Sequence, residues 1–147
     1  MEEIWKDIPE YEGLYQISNL GNIYITKRKK QKAKAINKDG YYYVNLSKNG
    51  RKTYYLVHRL VAMAFINKKN YKYAKNDNID ENFLIVNHKD ENKLNNNANN
   101  LEWCTNKYNV IYSKKNYKEK VDKIINYLNK NSIDEKIKND IFNILSS

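Results

Sequence analysis

A short apolar run that ends in a histidine is the feature that most constrains how this chain can fold. Residues 83–86 have the composition of a short buried strand, which is predicted to end at the pair Asn87-His88. An asparagine-rich loop follows, and residues 101–105 predict a second short strand. A helix with a polar cap is predicted over residues 106–115. This region therefore predicts a unit of two strands and a helix, with a histidine at the end of the first strand.

A tight turn separates two β-rich runs in the first half of the chain. Residues 41–47 and 52–57 are rich in β-branched and aromatic residues, and Asn49-Gly50 lies between them. An Asn-Gly pair is a strong hairpin signal because both turn positions need positive φ. Residues 5–27 predict further short strands and turns, so this half of the chain is expected to form a small antiparallel sheet.

The other segments are predicted to be loops and helices. Residues 58–66 have helical spacing, residues 27–38 predict a basic loop, and residues 67–82 predict a polar surface loop. Two further helices are predicted over residues 117–147, and the capping-box pattern of residues 132–135 opens the second. This helical pair either packs on the rest of the chain or forms a shortened helix-turn-helix. Its net charge of +1 gives no support to the second alternative.

The predicted fold class is α+β. Residues 1–66 are expected to form a small antiparallel sheet plus a helix, and residues 67–82 a surface loop. Residues 83–116 are expected to form the ββα unit, and residues 117–147 the helical pair.

The positive charge of the chain is concentrated in one segment. The net charge is +10, from 27 Lys and Arg against 17 Asp and Glu, and residues 27–60 by themselves carry +10. The lysine and asparagine content is also what an AT-rich genome encodes by default, but such a bias does not place the charge in one segment. A basic block of this density predicts a polyanionic partner, with nucleic acid as the first candidate.

Several classes of protein are excluded by what the sequence lacks. Cys104 is the single cysteine, which rules out an internal disulfide framework, and with two histidines it makes a structural zinc site implausible. No stretch approaches the roughly 18 apolar residues of a membrane span. The acidic start Met1-Glu2-Glu3 lacks the hydrophobic region of a signal peptide. We therefore expect an intracellular protein with no membrane partner.

The segment between the two predicted strands carries a motif with a known pattern. It reads Asn87-His88-Lys89-Asp90-Glu91-Asn92, then Asn95-Asn96, then Asn100-Leu101-Glu102-Trp103, and then Asn109. This pattern resembles that of the HNH endonucleases, the ββα-metal or His-Me finger group, and in particular the phage and intron homing type. Glu91 stands where the motif of that group has a glycine.

A second resemblance lies upstream. It is carried by Trp5-Lys6-Asp7-Ile8-Pro9, Tyr11-Glu12-Gly13-Leu14-Tyr15 and Ser18-Asn19-Leu20-Gly21. These segments resemble the NUMOD-type motif that precedes such nuclease domains, and residues 57–65 resemble the helix that leads into the HNH segment. The resemblance implies that residues 1–66 bind DNA.

The HNH resemblance implies hydrolysis of phosphodiester bonds in double-stranded DNA with one divalent metal ion, Mg²⁺ or Mn²⁺. His88 matches the base that activates water, and Asn100 matches the asparagine that braces the loop and the main chain of the histidine. Asn87 and Asn109 match the two metal ligands, whose amide oxygens are hard donors of the kind these ions prefer. Structural roles are expected for five further residues, namely Asp90, Asn92, Asn96, Trp103 and His58, the last of these as a hydrogen-bonded side chain.

A basic and aromatic surface is expected to contact the DNA. It comprises Lys27, Arg28, Lys29, Lys30, Lys32, Lys34, Tyr43, Lys48, Arg51, Lys52 and Arg59. Because lysine contacts the phosphate backbone more than the bases, and only three arginines are present, high sequence specificity is not expected.

Two alternatives remain open at the level of sequence. Asn87 occupies a position that is often aspartate in the HNH group, so metal binding is expected to be weak without DNA. Because Asn87 is a neutral ligand and Glu91 replaces the glycine of the motif, a second interpretation stays open, in which the chain is a DNA-binding module with a decayed nuclease site. Exposed tyrosines and lysines also suggest an RNA-binding domain, which does not explain the spacing of His88 and Asn109. The chain is expected to act as a monomer, which would nick, or as a homodimer, which would cut both strands.

Overall fold

The computed structural model describes residues 2–73, 81–131 and 133–146. The chain divides into two compact units, which comprise residues 1–109 and residues 110–147. The first unit contains all of the strands assigned in the described residues and the helix between the second and third sheets.

The N-terminal part of the first unit is a four-stranded antiparallel sheet. Its strands pair in chain order and are β1 (Trp5–Asp7), β2 (Tyr15–Ser18), β3 (Ile23–Ile25) and β4 (Lys30–Lys32). Ile17 and Ile23 are buried and lie opposite each other in the β2–β3 register.

A second sheet of three antiparallel strands follows. It consists of β5 (Ala35–Ile36), β6 (Tyr42–Lys48) and β7 (Arg51–Leu56). The predicted hairpin is confirmed, with φ of 52° at Asn49 and 76° at Gly50. The prediction of a loop over residues 27–38 is wrong, because β4 and β5 lie within it. Both strands are short and partly or wholly exposed, so they form through backbone pairing with β3 and β6 and leave no alternating pattern in the sequence.

Helix α1 (Val57–Phe65) begins directly after β7 and confirms the predicted helix. Its buried face packs into a core shared by both sheets and by the segment that follows. The residues of α1 that are buried are Val57, His58, Leu60, Val61 and Ala62. A 3₁₀ turn at Lys68–Asn70 follows α1, and a second turn at Glu81–Phe83 precedes the next strand. The rest of the predicted surface loop, residues 74–80, lies outside the described residues.

The predicted ββα unit is present. Strands β8 (Ile85–His88) and β9 (Leu101–Cys104) form an antiparallel pair, and a 3₁₀ turn at Ala98–Asn100 leads into β9. The register places Asn87 opposite Glu102 and His88 opposite Leu101. Helix α2 (Asn106–Lys130) starts two residues after β9.

The C-terminal helices differ from the prediction in one respect. The helix predicted over residues 106–115 and the first helix predicted after residue 117 are a single helix, α2. No glycine or proline occurs in α2, so nothing in the sequence interrupts it. Helix α3 (Glu135–Ser146) confirms the last predicted helix, and Asp134 Oδ1 accepts a hydrogen bond from the backbone N–H of Lys136 at 2.8 Å. The predicted cap residue Ser132 lies outside the described residues. With antiparallel sheets and three α-helices among the residues that the structure describes, the α+β class is confirmed.

Candidate active site in the β8–β9 hairpin

His88 is the last residue of β8 and is buried at 5% exposure. Its Nε2 lies 3.2 Å from Asn96 Oδ1, and Asn96 Nδ2 donates to the Leu94 carbonyl at 3.4 Å. Because an amide oxygen only accepts hydrogen bonds, the proton of the neutral imidazole must sit on Nε2. The Nδ1 lone pair of His88 is therefore the one that can accept a proton from water.

The surroundings of His88 favour its neutral form. Burial lowers its pKa, while the hydrogen bond that His88 donates to Asn96 and the charge of Asp90 act in the opposite direction. The pKa remains below the ordinary value, so the imidazole is neutral near pH 7. A neutral imidazole is the form that general-base catalysis requires.

Two aromatic rings lie against His88. The ring of His58 is 5.0 Å away and nearly perpendicular, and the ring of Tyr41 is 5.9 Å away. His58 was predicted to be a hydrogen-bonded side chain, and the structure corrects this for its Nδ1. That atom is buried without a hydrogen-bond partner among the residues that the structure describes. Burial, with the nearby His88 and Arg59, lowers the pKa of His58 to about 3. His58 is therefore a neutral ring beside His88 at any working pH.

The side chain of Asn87 is held by the opposite strand. Its Nδ2 donates to Glu102 Oε1 at 3.0 Å, and Asn87 is 8% exposed. This hydrogen bond occupies the nitrogen end of the amide, so the oxygen end is the one suited to a cation. Glu102 was part of the motif in the sequence but had no predicted role, since its pairing with Asn87 depends on the register of the hairpin.

The loop after His88 is braced by Asn100, as its match to the motif predicts. Its Nδ2 donates to Asp90 Oδ1 at 2.8 Å and to the Asn95 carbonyl at 2.9 Å, and its Oδ1 accepts from the Asp90 N–H at 3.1 Å. The Asn100 carbonyl accepts from the N–H of Lys89, the residue after His88. Asn100 thus acts on the loop and the main chain, which makes it a positioning residue.

Asp90 is the centre of the turn that follows His88. Its carboxylate accepts hydrogen bonds from Asn95, Asn100 and the N–H of Asn92. Burial acts to raise the pKa of Asp90, but these hydrogen bonds outweigh it and hold the pKa below the ordinary value. The charged turn is therefore stable at neutral pH.

Glu91, which replaces the glycine of the motif, has a left-handed backbone conformation. Glu91 adopts φ of 62°, in the left-handed region that glycine occupies without strain. A glutamate there costs about 1 kcal/mol of backbone free energy, and the turn keeps its shape. Glu91 thus destabilises the turn locally, while the hydrogen bonds of Asn100 and Asp90 that brace the loop remain in place.

The remaining predicted site residues lie on β9 and α2. Trp103 is buried in the core, and its Nε1 donates to the Ile66 carbonyl at 3.2 Å. Asn109 is the fourth residue of α2, is half-buried, and donates its backbone N–H to the Thr105 carbonyl. Burial, with a smaller contribution from Glu102, raises the pKa of the Cys104 thiol to about 12, so this cysteine is no nucleophile.

The donor atoms at the motif positions are of the kind that hard divalent cations accept. The described residues contain no group of three or more His, Cys, Asp or Glu side chains placed to hold a metal ion. What the motif offers is the amide oxygens of Asn87 and Asn109, which are hard and neutral donors. A neutral donor set leaves most of the charge of a divalent cation to be balanced by other groups.

The predicted DNA-contacting residues divide into two groups. Most are exposed, and Lys27, Arg28 and Lys32 line a cavity of about 290 Å³ beside Ser47. Tyr43 stacks on the exposed Tyr54 at 4.9 Å on the β6–β7 hairpin. Lys34 differs, because its Nζ donates to the Gly21 carbonyl at 2.9 Å and to Asn22 Oδ1 at 3.1 Å.

Burial lowers the pKa of the Lys34 ammonium, with the charge of Glu3 acting in the opposite direction. We therefore assign Lys34 to the fold and leave it out of the DNA surface. The other predicted contacts of this surface are exposed lysines and arginines, namely Lys29, Lys30, Lys48, Arg51, Lys52 and Arg59.

Within the described part of the chain, no helix has both the length and the apolar character that a membrane span requires.

Comparison with known proteins agrees with this geometry. Residues 3–47 match the NUMOD4 motif. DNA endonuclease I-HmuI of Bacillus phage SP01 is 45% identical over 106 residues, which cover 72% of this chain and 55% of that protein. The uncharacterized HNH endonuclease L245 of Acanthamoeba polyphaga mimivirus is 42% identical over 133 residues, 88% of this chain and 36% of that protein.

A solved structure gives the same result. The fold is similar, with a TM-score of 0.63 and 42% identity, to a structure described as DNA binding and cleavage by the HNH homing endonuclease I-HmuI. The match covers 79% of this chain and 59% of that one. The two strands, the histidine and the following helix thus define an HNH fold. This chain is a homologue of the HNH homing endonucleases, a group that generally depends on a divalent metal, and it carries an N-terminal NUMOD4 motif. It spans about half the length, or less, of the curated relatives it matches.

Proposed function

We propose that the chain is a metal-dependent endonuclease that hydrolyses phosphodiester bonds in double-stranded DNA. The observation that carries the proposal is the orientation of His88, whose Nε2 is held by Asn96 so that Nδ1 is the basic atom. The similarity to an endonuclease described as binding and cleaving DNA supports the choice of substrate.

The proposed reaction uses His88 as the general base. Nδ1 takes a proton from a water molecule, and the oxygen of that water attacks the phosphorus of the scissile phosphate. The bond from phosphorus to the 3′ oxygen breaks, and the departing 3′ oxygen takes a proton from solvent, which leaves a 5′-phosphate and a 3′-hydroxyl. Asn100 and Asp90 keep the main chain of the loop in place while the His88 ring carries the proton.

Asn87 and Asn109 would hold the divalent metal, Mg²⁺ or Mn²⁺. When bound, the metal supplies a positive charge that stabilises the leaving oxygen and the charge that develops on the phosphate. DNA phosphate oxygens complement a pair of neutral amide ligands, which supports weak metal binding until DNA is present.

A relaxation assay with supercoiled plasmid tests this proposal. We expect nicked or linear product with Mg²⁺ or Mn²⁺, none after chelation, and 5′-phosphates at the new ends. Nicked product alone indicates a monomer with one site, and linear product formed without a nicked intermediate indicates a dimer. Product that forms in the presence of a chelator would contradict a metal-dependent reaction.

A binding module with a decayed nuclease site is the second candidate, because Asn87 is a neutral ligand. It predicts DNA retardation in a gel and no cleavage of any duplex under the same conditions. A library of random duplex sites guards against a rare target, since a true nuclease would deplete some members. Preference for RNA over DNA in competition would instead indicate an RNA-binding domain.

A further inference from the structure

Glu102 lies directly opposite Asn87 in the β8–β9 pair, and its Oε1 accepts the Asn87 amide at 3.0 Å. Asn87 is buried and Glu102 is half-buried, so the pair is shielded in part from water. The motif match assigns no role to this carboxylate. The hydrogen bond between Glu102 and Asn87 connects a charged group to a candidate metal ligand.

We propose that Glu102 supplies the negative charge that the metal site needs and orients the Asn87 amide for it. The inference rests on the proposed function, in which Asn87 and Asn109 hold a divalent cation. Glu102 is a positioning residue in this account, since it acts on the cation through Asn87 and through its own charge.

The two proposed amide ligands are neutral. Apart from the DNA phosphate oxygens, a divalent cation that leaves water for these ligands loses hydration without gaining an ionic partner from the protein. A carboxylate one hydrogen bond away from a ligand restores part of that balance, more strongly where water is partly excluded. Groups that hydrogen-bond to metal ligands commonly change metal affinity by about 10- to 100-fold when they are mutated.

Glu102 also fixes the orientation of the Asn87 amide. An Asn side chain can present either its nitrogen or its oxygen to a cation, and only the oxygen is a ligand. The acceptor-only carboxylate of Glu102 selects the nitrogen end of Asn87, which leaves the oxygen end for the cation. The two residues therefore work as a matched pair across the hairpin.

A pair of this kind explains why Asn is tolerated at position 87. An aspartate at that position would bring a second carboxylate to within hydrogen-bonding distance of Glu102, with no proton donor between them. Exchanging both residues, in N87D/E102Q, moves the charge to the other strand and keeps one amide donor and one carboxylate acceptor. The pair must carry one negative charge, and that charge can lie on either strand.

The test measures Mn²⁺ binding, so it does not depend on turnover. Free Mn²⁺ is followed by electron paramagnetic resonance on the full chain carrying His88→Ala, with a short DNA duplex present so that binding is measurable and DNA is not cut. Glu102→Gln keeps an acceptor for Asn87 and removes the charge. Glu12→Gln, which removes an exposed charge outside the ββα unit, is the matched control.

We expect Glu102→Gln to weaken Mn²⁺ binding by about 10-fold or more, and Glu12→Gln to leave it unchanged. Adding Asn87→Asp to Glu102→Gln should restore the affinity to within about threefold of the parent. Thermal melts establish that each variant is folded. Parent-like affinity in Glu102→Gln, or no recovery in the double variant, would overturn the proposal. Failure of the wild type, with His88 in place, to cut plasmid DNA would count against the proposed function and not against this binding result.

Discussion

Gly21 lies so close to Asn96 that a Cβ at position 21 would be 2.8 Å from the Asn96 Cβ. Gly21 lies within the segment of residues 3–47 that matches the NUMOD4 motif, and Asn96 is the residue that holds Nε2 of His88. One residue pair thus joins the N-terminal region to the candidate base. A second link runs beside it, since the Ala98 N–H donates to the Asn19 carbonyl at 2.8 Å. The N-terminal region is therefore part of the support of the active-site loop.

Gly21→Ala is predicted to impair cleavage more than DNA binding. The new methyl group would push Asn96 away from His88, and φ of 81° adds backbone strain, for a combined cost of about 1–3 kcal/mol in the free energy of unfolding. Single-turnover cleavage rates, DNA dissociation constants and denaturant titrations measure the three effects. Gly13→Ala is the matched control, because Gly13 has φ of 71° and open space around the new Cβ. Equal losses of cleavage in both variants would show that backbone strain, and not the contact with Asn96, is responsible.

Asn96→Asp is predicted to shift the acidic limb of the cleavage rate to higher pH. A carboxylate acceptor stabilises imidazolium more than an amide does, so the pKa of His88 rises and the base stays protonated up to a higher pH. Asn96→Leu removes the acceptor and should slow cleavage by up to about 100-fold, since the tautomer of His88 is no longer fixed. Rate profiles from pH 5 to pH 9 measure both effects. An unchanged limb in Asn96→Asp would show that Nε2 does not face this side chain in the working enzyme.

His58→Phe is predicted to make the fold more stable and more resistant to acid. Phenylalanine keeps a ring beside His88 and removes the buried Nδ1 that lacks a partner, a gain of about 1 kcal/mol. Since the folded pKa is lowered to about 3, the neutral His58 contributes stability that is fully present above pH 6.5 and is lost as the pH falls toward 3. Below pH 6.5 the wild type should therefore lose up to about 1.4 kcal/mol per pH unit relative to the variant. Denaturant titrations at pH 7.5, 6.0 and 5.0 measure the difference, and a constant difference would contradict this origin.

Replacing Lys27, Arg28 and Lys32 together by alanine is predicted to weaken DNA binding in a salt-dependent way. Each cation that neutralises a phosphate contributes about 0.9 to the slope of log K against log salt concentration, so the slope should fall in magnitude. Lys34→Ala is the contrast, because its ammonium bonds to Gly21 and Asn22 and its loss should lower stability at an unchanged slope. Fluorescence anisotropy at 50–300 mM salt separates the two variants. An unchanged slope in the triple variant would exclude this surface from the DNA interface.

The order of elements could be predicted where the side-chain pattern itself carries the information. Asn49-Gly50 predicted its hairpin, and the apolar run before His88 predicted β8, because turn chemistry and burial are local properties. Strands β4 and β5 could not be predicted, because β4 reads Lys-Gln-Lys and β5 has only two residues, so neither shows an alternating apolar pattern. Both form through backbone pairing with the neighbouring strands β3 and β6. The continuity of α2 was missed because its two apolar stretches looked like separate helices.

The candidate site was predictable as a set of residues but not as a set of contacts. The motif identified His88, Asn87 and Asn100, whereas the partners of these side chains depend on tertiary packing. Glu102 faces Asn87 only because the loop between β8 and β9 fixes their register. His58 and Tyr41 reach His88 from sequence positions 30 and 47 residues earlier, a closeness that no local pattern reports.

His88→Ala removes the proposed general base and leaves the rest of the site in place. Supercoiled plasmid is incubated with the wild type or with the variant at equal occupancy of DNA, and with the same Mg²⁺ or Mn²⁺ concentration. The account predicts that the variant binds DNA and melts like the wild type, while its nicking rate falls at least about 100-fold, the scale of general-base catalysis. Nicking at the wild-type rate by a folded His88→Ala protein would contradict the account and place the base elsewhere.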